Sequence, residues 1–205
     1  VGAGTLAISI NAGGGSDLIA YSGYGVAATV NLSTGVASTV NSGAAASISS
    51  FEHIAGSLFA DNLTGDSGAN IITGLAGNDT LAGLGGDDSY IFGDGWGTDN
   101  LTDPAGTDTF DFSSVTVLGS GALTFSFDGT AVGISSALGG NSLTSTTAIE
   151  NFLAGPADDQ FIFLNGAILG GWVDGKGGTD TLNYNGYGSL RHIALTGLGA
   201  LDGLD

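Results

Sequence analysis

From Gly56 to Ile91 the chain falls into four consecutive rows of nine residues: GSLFADNLT, GDSGANIIT, GLAGNDTLA and GLGGDDSYI. Position one is Gly56, Gly65, Gly74 and Gly83. Position six is Asp61, Asn70, Asp79 and Asp88, and position eight is Leu63, Ile72, Leu81 and Tyr90. A fixed period of this kind constrains the fold more tightly than composition does, because each row must be one structural unit that stacks on its neighbours. One apolar residue per row cannot close a core alone, so the rows must share one. The Gly-rich first six residues suit a tight turn, where positive φ is tolerated. The last three suit a short strand with its middle residue facing inward. Two rows make one coil of a parallel β-solenoid, and coils stack at the ~4.8 Å of paired strands. Asp61 is then brought near Asp79, and Asn70 near Asp88.

Charge sharpens the reading. The formal net charge is −18, with Lys176 and Arg191 as the only basic residues against 20 acids, all Asp except Glu52 and Glu150. Asp is a turn and ligand residue, whereas solvated helical surfaces favour Glu and Lys. Two bare carboxylates roughly 5 Å apart repel by on the order of 3 kcal/mol at an effective dielectric near 20. This chain has too few bases to offset that. A hard cation such as calcium, which takes about 6–8 oxygen ligands, can. A basic footprint for nucleic acid is absent, and an anionic membrane surface would repel the chain. No stretch approaches the ~18 apolar residues of a spanning helix. With 42% of residues apolar, disorder is not expected. There is no Cys, hence no disulfide framework and no thiolate metal site.

Looser echoes follow the four rows. Gly97–Thr102 (GTDNLT) and Gly106–Ser113 (GTDTFDFS) repeat Gly-x-Asp-x-apolar with Asp99 and Asp108. The candidate metal ligands are therefore Asp61, Asn70, Asp79, Asp88, Asp99 and Asp108. The rows GLAGNDTLA and GLGGDDSYI, with the other two as weaker members, resemble the RTX (repeats-in-toxin) nonapeptide, a calcium-binding β-helix repeat. That resemblance implies a parallel β-roll, calcium as the cofactor, calcium-dependent folding and type I secretion. It also implies an extracellular or bacterial cell-surface location. Its members include toxins, proteases, lipases, adhesins and surface-layer proteins, so the repeat names no activity. Asn70 departs from the family's turn Asp and should weaken the site it shares with Asp88. These rows also open with one Gly where the family commonly has two.

Outside the rows, Val26–Leu32 and Leu123–Phe127 alternate apolar and polar residues and end in the turns LSTG and FDGT, as half-buried strands do. Gly43–His53 is Ala-rich and reads as a loop or a single turn. Gly15–Tyr24 matches Gly178–Tyr187, and Phe51–Leu63 matches Ile149–Phe161, pairing Glu52 with Glu150 and Asp61 with Asp159. Loose repeat units thus start near residues 13, 106 and 176. The expected fold is all-β, one continuous elongated parallel β-solenoid over residues 1–205. The chain starts at Val1 without Met and reads as a piece of something longer.

Other chemistries find less support in the residues. Asp87-Asp88 and Asp158-Asp159 could be catalytic pairs on a polysaccharide, but adjacent strand residues face opposite ways. His53 and His192 have no metal-ligand spacing around them. The serines lack Gly-x-Ser-x-Gly, and no Lys follows the Gly-rich start as a phosphate loop requires. Trp96 and Trp172 read as packing over a coil edge, and Tyr21, Tyr24, Tyr184 and Tyr187 as shared packing. Function reads as a calcium-binding structural or adhesive module, not an enzyme, stiffened by calcium. Its partners would be other copies of itself, end to end or laterally, or surface glycans. The alternative is a secreted polysaccharide-modifying enzyme or its noncatalytic module.

Overall fold

In the first three rows the strand is three residues long, and its middle residue alone is buried. This holds for β7 (Asn62–Thr64), β8 (Ile71–Thr73) and β9 (Thr80–Ala82), with Leu63, Ile72 and Leu81 inside. The alternation is the period-two pleat of a strand whose two faces meet core and solvent. Strands pair with the next-but-one strand, parallel and in register, so that Leu63 lies beside Leu81 and Ile72 beside Tyr90. Successive strands therefore alternate between two facing sheets, which is a solenoid coil. The structure is a computed structural model that describes residues 8–41, 44–116, 121–129, 131–137, 140–186 and 188.

Before the rows come β1 (Ile8–Asn11), β2 (Leu18–Ala20), β3 (Thr29–Asn31), β4 (Val36–Asn41), β5 (Ala44–Ser49) and β6 (His53–Ala55). After β9 come β10 (Ser89–Gly93), β11 (Thr98–Thr102), β12 (Thr109–Ser114), β13 (Leu123–Asp128), β14 (Ala131–Ser136) and β15 (Ser142–Ser145). The last are β16 (Asn151–Leu153), β17 (Gln160–Phe163), β18 (Val173–Asp174) and β19 (Thr181–Asn183). The long sheet has 12 strands in the order β1-β5-β4-β3-β7-β9-β11-β15-β14-β13-β17-β19, and the short sheet seven, β18-β16-β12-β10-β8-β6-β2. The described residues are all-β, with parallel pairing predominant, as expected. Among them no helix is long and apolar enough to cross a membrane.

Two antiparallel meanders interrupt the parallel stack. They are β3-β4-β5 and β13-β14-β15, and each enters and leaves through parallel pairs, β3 with β7 and β5 with β1, β13 with β17 and β15 with β11. The expectation of a loop or single turn over Gly43–His53 is corrected here: β5 occupies most of it. Ala46 and Ile48 are buried between exposed Ser47 and Ser49, so a strand period was present beneath the Ala content.

Each meander adds strands to the long sheet that have no counterpart in the short one. In the second half aromatic rings fill the resulting space. Phe92, Trp96, Phe110, Phe112, Phe125, Phe127, Phe152 and Phe161 are buried. Phe125 stacks on its register partner Phe161 at 4.7 Å, and Phe127 on Phe163 at 4.7 Å. Phe152 meets Phe110, Phe125 and Phe127 edge-on. Trp96 lies inside this cluster, 5.2 Å from Phe112, whereas Trp172 is exposed. Tyr21 meets Tyr24 edge-on and Tyr184 stacks on Phe163; Tyr187, Arg191 and His192 lie outside the described residues.

Phe152→Ala should cost about 3–5 kcal/mol, the range for emptying a packed aromatic site. Leu84 behaves in the opposite way. It is exposed and holds φ at 81°, which costs an L-residue about 1–2 kcal/mol. Leu84→Gly should raise stability by up to about 1 kcal/mol once the added freedom of the unfolded chain is subtracted. Denaturant unfolding in saturating calcium measures both, and a stability loss for Leu84→Gly would refute the strain.

Candidate metal centre

The position-six side chains form two columns, one at each edge of the stack. In the first, the Asp61 amide donates to Asp79 Oδ1 at 2.8 Å and the Asp79 amide to Asp99 Oδ1 at 2.8 Å. In the second, the Asn70 amide donates to Asp88 Oδ1 at 2.7 Å and the Asp88 amide to Asp108 Oδ1 at 2.9 Å. All six expected ligands are buried, at 3% exposure or less. The structure thus brings together Asp61, Asp79 and Asp99, and separately Asn70, Asp88 and Asp108. The link is carboxylate to backbone amide, a charge-assisted bond of the stronger kind.

The columns run further than the four rows. Asp61 Oδ1 accepts from the Ala28 amide, Glu52 Oε2 from Asp17, Glu150 Oε2 from Asp108, Asp159 Oδ1 from Leu123, and Asp180 Oδ1 from Asp159. Glu52 and Glu150 fill the same place in two halves of the chain, as Asp61 and Asp159 do. The match of Gly15–Tyr24 to Gly178–Tyr187 does not extend to position, since β2 lies in the short sheet and β19 in the long one.

The row register itself continues after a two-residue insertion. Phe92-Gly93 separates GLGGDDSYI from DGWGTDNLT, which runs directly into DPAGTDTFD. The offset between stacked acids accordingly grows from 18 residues at Asp61/Asp79 to 20 at Asp79/Asp99. GKGGTDTLN at Gly175–Asn183 is another such row, and Lys176 there has the positive φ of Leu75 and Leu84. Sequence reasoning left Asp103, Asp159, Asp180 and the two Glu out of the ligand set, although it paired Asp159 with Asp61 and Glu150 with Glu52. Skipping Phe92-Gly93 when setting the rows would have exposed Asp94 and Asp103, which stand where the first four rows have Gly.

Two close approaches explain the glycines. A Cβ on Gly83 would fall on Asp88 Oδ2, Tyr90 Oη and Asp103 Oδ2, and one on Gly97 would fall on the Gly77 carbonyl. Position one must leave room for the carboxylate of its own row, and position four must pass under the preceding coil.

Asp79, Asp88 and Asp99 each spend Oδ1 on an amide, and their Oδ2 is buried without a hydrogen-bond partner, as are Asp17 Oδ2 and Asp103 Oδ1. Asp61 and Asp159 instead place both oxygens on amides. An unsatisfied buried acceptor costs about 1–3 kcal/mol, and more when charged. Lys176, the one basic residue described, sits at the surface with Asp174 at 3.0 Å. Buried, anionic, oxygen-only atoms without basic neighbours are the donor set of a hard cation, so these residues fit calcium. Asn70 closes its layer differently: its Oδ1 accepts from the Asp66 amide at 2.8 Å and its Nδ2 donates to the Glu52 carbonyl at 2.9 Å. The neutral amide thus satisfies itself within the protein.

The other candidates resolve as structure. Asp87 and Asp158, the exposed members of the acidic pairs, accept from the Thr107 and Thr179 amides. Ser16 Oγ lies 2.6 Å from His53 Nε2, but His53 Nδ1 accepts from the Ile71 amide at 3.0 Å. That bond puts the ring proton on Nε2, so His53 donates to Ser16 and cannot act as its base.

Burial pushes the carboxyls of Asp79 and Asp99 up to about 7, against an ordinary 3.8. It raises Asp88 and Asp108 as well, with Asp103 adding to both. A carboxyl that holds its proton more tightly when folded lends stability fully below about pH 4. That stability is lost as pH rises from about 4 to 7. The metal-free chain should therefore hold more folded structure at pH 5 than at pH 7.5, opposite to ordinary acid denaturation. Circular dichroism in chelator at the two pH values checks this, and a larger β-signal at pH 7.5 than at pH 5 would count against buried, unpaired acids.

No curated protein matches the chain. Residues 55–90 match the RTX calcium-binding nonapeptide repeat in four copies, the span over which the first in-phase rows and their columns lie. RTX nonapeptide repeats bind calcium, and these four make the chain the carrier of an RTX calcium-binding module.

Proposed function

We propose that the chain is a calcium-dependent structural module of a secreted or surface-attached bacterial protein, without catalysis of its own. Asp61, Asn70, Asp79, Asp88, Asp99 and Asp108 are its calcium-facing residues, and the layer of Asn70 is the weakest. One observation carries the reading: successive layers hold buried carboxylate oxygens that no protein group satisfies. Their burial is tolerable when a cation is present and costly when it is not.

Coupled folding follows from the charge. At −18 the chain repels itself and stays expanded where calcium is scarce. At the millimolar calcium outside cells the turns close and the two sheets zip together, so binding free energy becomes folding free energy. Typical RTX repeats belong to extracellular bacterial proteins, which fits that setting. Among the described residues β1 and β2 end the sheets on one side and β19 and β18 on the other. Open sheet ends suit end-to-end stacking of copies, and a rigid rod of this kind suits adhesion to other cells or to surface glycans.

Circular dichroism during a calcium titration tests the proposal. In chelator the spectrum should be that of an expanded chain, and millimolar calcium should produce a cooperative rise in β-signal. A β-rich spectrum indifferent to excess chelator would end the coupled-folding reading.

A further inference from the structure

Position one is Gly in the four matched rows because the row's own position-six side chain lies over it. The rows that start at residues 94 and 103 break this rule with Asp94, which is exposed, and Asp103, which is buried. The Asp103 carboxylate enters the space beside Gly83 that Asp88 Oδ2 and Tyr90 Oη also occupy. Asp88, Asp103 and Asp108 each offer an oxygen within 4.8 Å of the others, and each is at most 2% exposed. Asp88 Oδ2 and Asp103 Oδ1 have no hydrogen-bond partner.

The surrounding bonds fix this cluster in place. The Tyr90 hydroxyl donates to Asp103 Oδ2 at 2.7 Å, and the Asp103 amide donates to Thr147 Oγ1 at 2.7 Å. Asp88 Oδ1 and Asp108 Oδ1 are held by the amides of Asn70 and Asp88, and the Asp108 amide by Glu150. The oxygens left over converge from two successive turns. Three carboxylates with no base beside them call for positive charge, and an oxygen-only set selects a hard cation over a soft one.

We propose that Asp88, Asp103 and Asp108 form one three-carboxylate cation site that loads before the other layers, with Asp103 as a ligand the nonapeptide does not supply. The inference rests on the calcium reading above and adds to it a ranking of sites. Affinity for calcium rises with the number of charged ligands. Asp94, the other acid at position one, is exposed and accepts from the Thr116 amide and hydroxyl, so the other described rows add no buried position-one carboxylate to their column acids. Tyr90 also makes the site visible. Its hydroxyl touches a ligand, so terbium bound there in place of calcium is sensitised by tyrosine excitation.

The test compares the full wild-type chain with Asp103→Gly and Asp103→Asn by terbium luminescence and by calcorimetric calcium titration. Asp103→Gly restores the row's usual residue and should keep the fold, which dichroism in saturating calcium checks. The expected result is loss of the tightest phase: tyrosine-sensitised emission moves to at least ~10-fold higher terbium, while the weaker calcium sites persist. If wild type binds calcium and both variants titrate identically to it, Asp103 is not a ligand and the proposal falls alone. If wild type takes up no calcium, the module reading falls with it.

Discussion

A carboxylate oxygen accepting the backbone N–H of the coil before it sets the geometry of both turn columns. The bond fixes the spacing between layers and the orientation of the acid at once. Because one oxygen is used within the protein, the other is aimed, buried and unpaired, for example at Asp79 and Asp88. Glycine at position one and a single inward apolar residue at position eight are consequences. The first makes room for the acid, and the second is all that a three-residue strand can bury.

The same bond recurs where the rows give way to meanders. Glu52 and Glu150 reach the amides of Asp17 and Asp108, and Asp61 and Asp159 those of Ala28 and Leu123. Two halves of the chain thus share a plan: a strand in the short sheet, a three-stranded meander in the long sheet, then a return to the short one. They differ in filling. The first meander packs Val30, Ala37, Ala46 and Ile48, whereas the second packs Leu123, Phe125, Phe127 and Ile134 against further aromatic rings. Larger side chains in the second half hold apart sheets of unequal strand number.

The four rows were legible because glycine, acid and apolar residue recur at fixed places, and each place has a separate physical cause. Legibility failed where that phase was interrupted. Phe92-Gly93 shifts the register by two residues, which hid Asp94–Asp111 as rows and Asp103 as a ligand-type residue in a glycine position. Ala-rich Gly43–His53 concealed a strand, because Ala gives little contrast between faces. In the meanders the strands within Val26–Leu32 and over Leu123–Phe127 were legible, but their antiparallel pairing was not. A run such as Leu123–Phe127 has the same alternation whether its neighbour is parallel or antiparallel, and pairing direction is decided by partners far along the chain.

The columns have a direction. Each amide-to-carboxylate link in them runs from an earlier residue to an acid that comes later in the chain, never the reverse: Asp61 waits on Asp79, Asp79 on Asp99, Asp108 on Glu150. A polypeptide that leaves a ribosome or a narrow conduit N-terminus first would hold each emerged coil one acceptor short until the next had cleared the exit. Completion would then advance from the leading end, one coil behind the exit, a ratchet built into the order of the residues.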